Sequence, residues 1–310
     1  MLARSISKRD REKEEKPYKI KWLYQCFGLS KQAYYQKIKS NKVKEMQSIV
    51  IKQLIASIRK KMPRYGTEKL HLDISADLQK QGIKMGRDKF LKFARQHHLL
   101  VPKTKRCFIT TDSNHMFHRP PNRIKNLAIT QAEQVYVSDI TYIKLDGKHA
   151  YLALVTDLYS KKIMGYKIDD NMKVSLVKEA LQMAVNKRQH TRKTIIHHSD
   201  RGLQYCCPDY SEFATNRNMI MSTTEKYDPY ENAVAERINE TIKYEFGLIK
   251  TIPNLDIATK MVSQAVDIYN QERRHFSLQM QTPNFAHSNQ LHPYKSYKKK
   301  TEIEPVGNVD

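Results

Sequence analysis

Thr194-Ile195-Ile196-His197-His198-Ser199-Asp200-Arg201-Gly202-Leu203-Gln204-Tyr205 is the stretch from which the rest of the chain is read. Ile195 and Ile196 supply the apolar run of a short buried strand, which then stops in polar residues. Asp200 falls where such a strand leaves its sheet, and Gly202 allows a sharp exit. A carboxylate at a strand end beside two histidines suits chemistry. Acidic residues at strand ends are more often turn formers or helix caps, so the stretch needs support from elsewhere.

Upstream, Val135-Tyr136-Val137-Ser138-Asp139-Ile140-Thr141-Tyr142-Ile143 is rich in β-branched and aromatic residues and predicts a strand. Asp139 stands in its middle, where an unpaired charge is costly to bury. Downstream, the stretch from Tyr230 to Lys243 predicts a helix. Asn232, Glu236, Asn239 and Lys243 follow one another at four-, three- and four-residue steps and share one polar face. With 32 acidic residues in the chain, spacing alone would prove little. Context is what singles out a mid-strand Asp, a strand-end Asp and an on-helix Glu.

Asp139-Ile140-Thr141-Tyr142, His198-Ser199-Asp200-Arg201-Gly202-Leu203-Gln204-Tyr205 and Glu231-Asn232-Ala233-Val234-Ala235-Glu236 resemble, in order and spacing, the DDE transposases of the retroviral-integrase-like superfamily. More closely, they resemble the OrfB product of the two-frame (OrfA/OrfB) insertion-sequence family. The resemblance implies an α/β, RNase H-like catalytic core behind all-α helix-turn-helix segments. It also implies metal-dependent cleavage and strand transfer at element ends. Two divalent ions, Mg²⁺ or Mn²⁺, would lie roughly 3.5–4 Å apart. Asp139 would bridge them, with Asp200 and Glu236 each holding one, so all three are both catalytic and metal ligands by this reading. Water would attack first to free a 3′-OH, which would then attack a second strand without a covalent protein intermediate. Tyr136 stands where Trp is usual, Glu231 where Asp often precedes the Asn, and Arg237-Ile238 where Ser-Phe is frequent. None of these departures removes a carboxylate.

Composition points the same way. Lys and Arg total 55 against 32 acids, a formal net charge of +23, which favours a polyanionic partner such as DNA. No apolar run is long enough to span a membrane, and the N-terminus lacks an apolar signal core. Cys26, Cys107, Cys206 and Cys207 have neither disulfide-scaffold density nor zinc-finger spacing, and fit a reducing cytoplasm, where a DNA partner would make the chain nucleoid-associated. Hydrophobic residues at 40% suffice for buried cores in a chain of 310 residues.

In order, residues 1–62 predict an N-terminal helical segment, 63–101 a helix-turn-helix, 102–127 a basic proline-bearing linker able to lie along DNA, 128–290 the catalytic core, and 291–310 a basic, disordered tail. In the first segment, a helix over Ile20–Phe27 ends at Gly28, and Ser30 caps the next. The polar run Lys39–Lys44 separates that helix from another over 46–62. The pair is either helix-turn-helix-like or an ordinary αα-hairpin. Lys89, Lys92 and Arg95 lie on the polar face of the helix after Gly86, placed either to enter a major groove or to be a solvated face.

Other roles stay open. Lys243 either reaches a phosphate or pairs with Glu240; Asn232 can position DNA or a metal-bound water. Neutral imidazole is a poor Mg²⁺ ligand, so His197 and His198 read as structural or phosphate-contacting. Arg273, Arg274 and His275 either bind DNA or form a solvated terminus. A non-catalytic DNA-binding regulator and a plain RNase H-type nuclease are the rival readings. Pairing two element ends requires at least two copies, so the chain is expected to act on DNA as a homo-oligomer; residues 1–60 show no sustained heptad, and the resemblance implies that an upstream OrfA product supplies the dimerising segment.

Overall fold

Lys31 begins a helix that runs unbroken for 31 residues to Lys61. The break expected at Lys39–Lys44 does not occur. That run contains neither Gly nor Pro, and polarity there ends burial without ending the helix. The computed structural model describes residues 20–102, 117, 119–125, 127–190, 193–225 and 232–289. The charged N-terminal residues, most of the expected linker, the 291–310 tail and Glu231 lie outside them.

By contact, the chain divides into two compact units, one drawn from residues 1–58 and 70–92, the other from 59–69 and 93–310. The first contains α1 (Ile20–Cys26), most of α2 (Lys31–Lys61) and of α3 (Thr67–Lys80), and the start of α4 (Arg87–Gln96). Ser30 Oγ accepts from the Ala33 amide at 3.1 Å and caps α2 as expected. Ile51, Ile55, Leu70, Ile74, Leu78, Ile83 and Phe90 are buried in this unit.

The second unit is built on a five-stranded sheet ordered β3-β2-β1-β4-β5. β1 (Val135–Lys144), β2 (His149–Asp157) and β3 (Ile163–Asp169) form an antiparallel meander. At its first turn Gly147 takes φ +71°, and the Leu145 amide donates to the Lys148 carbonyl at 2.9 Å, as Asp146-Gly147 predicts. β4 (Ile195–Ser199) runs parallel to β1, and β5 (Met219–Thr223) parallel to β4. Parallel neighbours need crossovers. These are α5 (Val174–Asn186) before β4, then α6 (Leu203–Cys206) and α7 (Pro208–Thr215) before β5. A three-strand meander followed by two parallel strands reached through helices is the RNase H-like arrangement.

One face of the sheet packs Tyr136, Ala153, Val155 and Met164 against Leu176, Val177, Ala180 and Leu181 of α5 and Tyr210 of α7. Gly165 permits the close approach of β3 to α5: a Cβ there would sit 2.0 Å from the Ala180 carbonyl oxygen. α8 (Ala233–Glu245) contacts β1, and α9 (Leu255–Gln271) contacts β3. α9 begins at Leu255 because Asn254 caps it, its side chain accepting from the Ile257 amide at 2.9 Å. α10 (Pro283–Asn289) was not foreseen. Its His287 is buried, with Nδ1 3.0 Å from Ser160 Oγ, which also donates to Asp157 Oδ1 at 2.6 Å.

Candidate active site

Ser138 and Ser199 are register partners on the adjacent parallel strands β1 and β4. The residue after each is an aspartate, Asp139 still within β1 and Asp200 just past the end of β4. Parallel partners project to the same face, and neighbouring strands lie about 4.8 Å apart, so Asp139 and Asp200 emerge side by side where β4 ends. Asp139 is half-buried. Burial, then the Asp200 charge and to a smaller degree Glu236, push its carboxyl well above the ordinary range, against hydrogen bonds from Asn239 and the Ile140 amide. Asp200 Oδ1 accepts from the Gly202 amide at 3.0 Å, which fixes the exit from the strand. Glu236 lies exposed in the first turn of α8. Among the described residues, no three His, Cys, Asp or Glu side chains are gathered tightly enough to hold a metal ion outright.

The polar face of α8 lies along β1. Asn232 Nδ2 donates to the Ser138 carbonyl at 3.1 Å, Asn239 Nδ2 to Asp139 Oδ2 at 2.8 Å, and Lys243 Nζ to Thr141 Oγ1 at 3.2 Å. Asn232 is therefore buried as a clasp between helix and strand, not open to DNA. Lys243 is half-buried, and burial lowers its pKa while Asp139 and Glu240 oppose the shift. Asn239 carries no role in the sequence reading beyond its place on the face. Its signal was the four-three-four spacing it shares with Glu236 and Lys243. Three buried polar atoms near the acids have no hydrogen-bond partner among the described residues: Asn232 Oδ1, Asn239 Oδ1 and the Tyr205 hydroxyl. Burial, Tyr210, Asp139 and Asp200 all raise the Tyr205 pKa, which keeps that phenol neutral. Carboxylates within electrostatic reach of one another, with orphaned amide oxygens beside them, are the donor chemistry of a hard divalent cation.

His197 and His198 are interior. His197 Nε2 lies 2.9 Å from Ser138 Oγ and 3.1 Å from the Tyr210 hydroxyl, and burial, with a smaller contribution from His198, lowers its pKa to about 3. His198 Nδ1 lies 2.9 Å from Ser222 Oγ. Arg273 is neither open to DNA nor a solvated terminus. Arg273 is buried and grips Glu245 with both Nε and Nη2, at 2.7 and 2.8 Å, and its Nη1 lies 2.8 Å from His275 Nε2. Arg274 Nη1 donates to the Met280 carbonyl at 3.0 Å. Glu245 also receives Lys69 Nζ at 3.4 Å. The end of the expected linker is not a free tether either. The Arg123 amide donates to Ser222 Oγ at 2.9 Å, and Thr223 Oγ1 donates to the Pro120 carbonyl at 2.6 Å. Lys89, Lys92 and Arg95 are exposed on α4. Among the described residues, no helix is long and apolar enough to cross a membrane.

Residues 129–229 and 217–283 match two families, each described as Integrase core domain. The chain is 31% identical over 261 residues to an uncharacterized 31 kDa protein of insertion element IS600 from Shigella sonnei, covering 83% of this chain and 94% of that one. It is 29% identical over 220 residues to a putative transposase for insertion sequence element IS986/IS6110 of Mycobacterium tuberculosis, covering 67% of this chain and 76% of the relative. Over 143 residues it is 34% identical to transposase InsF for insertion sequence IS3A of Escherichia coli, covering 46% and 49%. Among solved structures, it is similar to the simian T-cell lymphotropic virus intasome, with TM-score 0.45 and 18% identity over 79% of this chain and 81% of that one. The HTLV-2 integrase catalytic core domain in complex with magnesium gives TM-score 0.41 and 19% identity, covering 51% of this chain and 97% of that one.

Proposed function

The chain belongs to the insertion-sequence transposases with an integrase core domain, and on that premise we propose that it cuts and joins DNA at element ends through Asp139, Asp200 and Glu236. The observation that carries this reading is the register pair Ser138–Ser199, which sets two carboxylates side by side within electrostatic reach of a third on α8. Mutual repulsion among them is a cost that burial makes worse. Such a cost is accepted where a cation offsets it in function.

Magnesium or manganese held by Asp139, Asp200 and Glu236 would supply activation of the attacking oxygen and stabilisation of the leaving one. The remaining work belongs to the chain. Asn239 orients Asp139 and favours its ionised form. Asn232 ties the start of α8 to β1, which sets where Glu236 stands. Lys243 is positioned to exchange its bond to Thr141 for one to a phosphate of the terminal DNA. Lys89, Lys92 and Arg95 contact the element-end duplex. Two copies assemble on paired ends, aided by an upstream product.

A strand-transfer assay with labelled element ends and a target duplex tests the reading. It predicts joined products that require Mg²⁺ or Mn²⁺. Nicked ends without joining would indicate a nuclease, and binding without either product a DNA-binding regulator.

A further inference from the structure

α2 carries two apolar faces. Ile51 and Ile55, in its C-terminal half, are buried. In its N-terminal half Tyr35, Val43, Met46 and Ile49 turn to a different side and stay exposed, Met46 at 69%, Ile49 at 57% and Val43 at 48%. Intervals of 8, 3 and 3 residues keep these four within one broad arc of the helix. From Tyr35 to Ile49 the stripe runs about 21 Å along the axis. Scattered exposed apolar residues are ordinary, but a contiguous stripe on a long helix marks an interaction surface.

The charge around the stripe says what covers it. Between Lys31 and Lys61 the helix carries nine Lys and Arg side chains and a single acid, Glu45. Lys37 and Lys44 lie on the opposite side of the helix, while Lys39 and Lys42 fall within the same arc, between Tyr35 and Met46. A second copy of α2 would bring the same cations against these, and like charges across an interface are costly. Phosphates would satisfy the lysines but leave Val43, Met46 and Ile49 in water. We propose that this face of α2 docks an acidic amphipathic helix of another polypeptide, with apolar side chains on the stripe and carboxylates on Lys39 and Lys42.

The test uses the full chain and two synthetic fluorescent peptides of identical composition. One places leucines on a single helical face flanked by glutamates; the other scrambles them. Anisotropy at physiological salt should show the striped peptide binding about tenfold or more tightly than the scrambled one. Met46→Ser with Ile49→Ser should erase that difference, leaving the melting temperature and duplex-DNA affinity unchanged. Equal binding of both peptides would overturn the proposal in favour of charge attraction alone. A dimer of the wild-type chain that the double variant loses would assign the face to a second copy. A loss of duplex affinity in the double variant would assign it to nucleic acid.

Discussion

Asn239 Nδ2 donates to Asp139 Oδ2 at 2.8 Å, joining the helix that carries Glu236 to the strand that carries Asp139. This bond opposes burial and the Asp200 charge, both of which favour the protonated acid. Asn239→Ala should therefore reduce metal affinity and cleavage together, by about ten- to a hundredfold, as is usual when a group supporting a metal ligand is removed. Isothermal titration with Mn²⁺ and single-turnover cleavage of an element-end duplex would check both. A normal metal affinity would mean that Asn239 only packs.

Lys243 bonds to Thr141 within the chain, so its two possible roles can be separated. Lys243→Ala should reduce strand transfer more than it lowers the melting temperature, whereas Thr141→Val should leave transfer near wild type. Equal losses in both variants would show that the bond itself is what matters and that the lysine never leaves it for DNA.

Buried Arg273 and partly buried Glu245 form a two-bonded ion pair. Arg273→Ala should destabilise the protein by about 3 kcal/mol, at the low end for an enclosed pair, because it leaves the carboxylate with Lys69 alone. Replacing both residues with apolar ones of similar volume should cost much less; urea denaturation would measure the difference. Burial raises the Glu245 pKa, but the hydrogen bonds and charge of Arg273, with help from Lys69, outweigh it and hold the carboxyl below its ordinary 4.5. The pair's contribution is thus present above pH 4.5 and is lost as pH falls through the lower folded value. The wild type should lose more stability than the apolar double variant across that acid window.

Lys89, Lys92 and Arg95 are exposed and fall at three-residue steps on α4. Their combined replacement by Ala should weaken binding to element-end duplex and flatten its salt dependence by roughly 0.9 for each phosphate contact removed. Binding isotherms between low and physiological salt would show it. An unchanged slope would return these residues to a solvated face.

Much of the core was legible because its signals are local. The strand around Asp139, the Asp146-Gly147 turn, the apolar run ending at Asp200 and the polar face of α8 each declare themselves within a few residues. Partners distant in sequence were not legible. Nothing near Arg273 says that it will find Glu245, and nothing near His287 points to Ser160. Asn232 was noted as polar on a helix face, but burial against the Ser138 carbonyl depends on how α8 meets the sheet. The continuity of α2 was misjudged for a different reason: hydrophobic periodicity reports burial, and an exposed run of residues without Gly or Pro can stay helical without it.

The central claim is that Asp139, Asp200 and Glu236 act as one carboxylate set. The most direct test is Mg²⁺-dependent cleavage of a labelled element-end duplex by Asp139→Asn, Asp200→Asn and Glu236→Gln, measured beside duplex binding. Each variant keeps the shape of the side chain and removes its charge. All three should fall to background cleavage with duplex affinity largely intact. Near-wild-type cleavage by any one of them would contradict the account and remove that residue from the site.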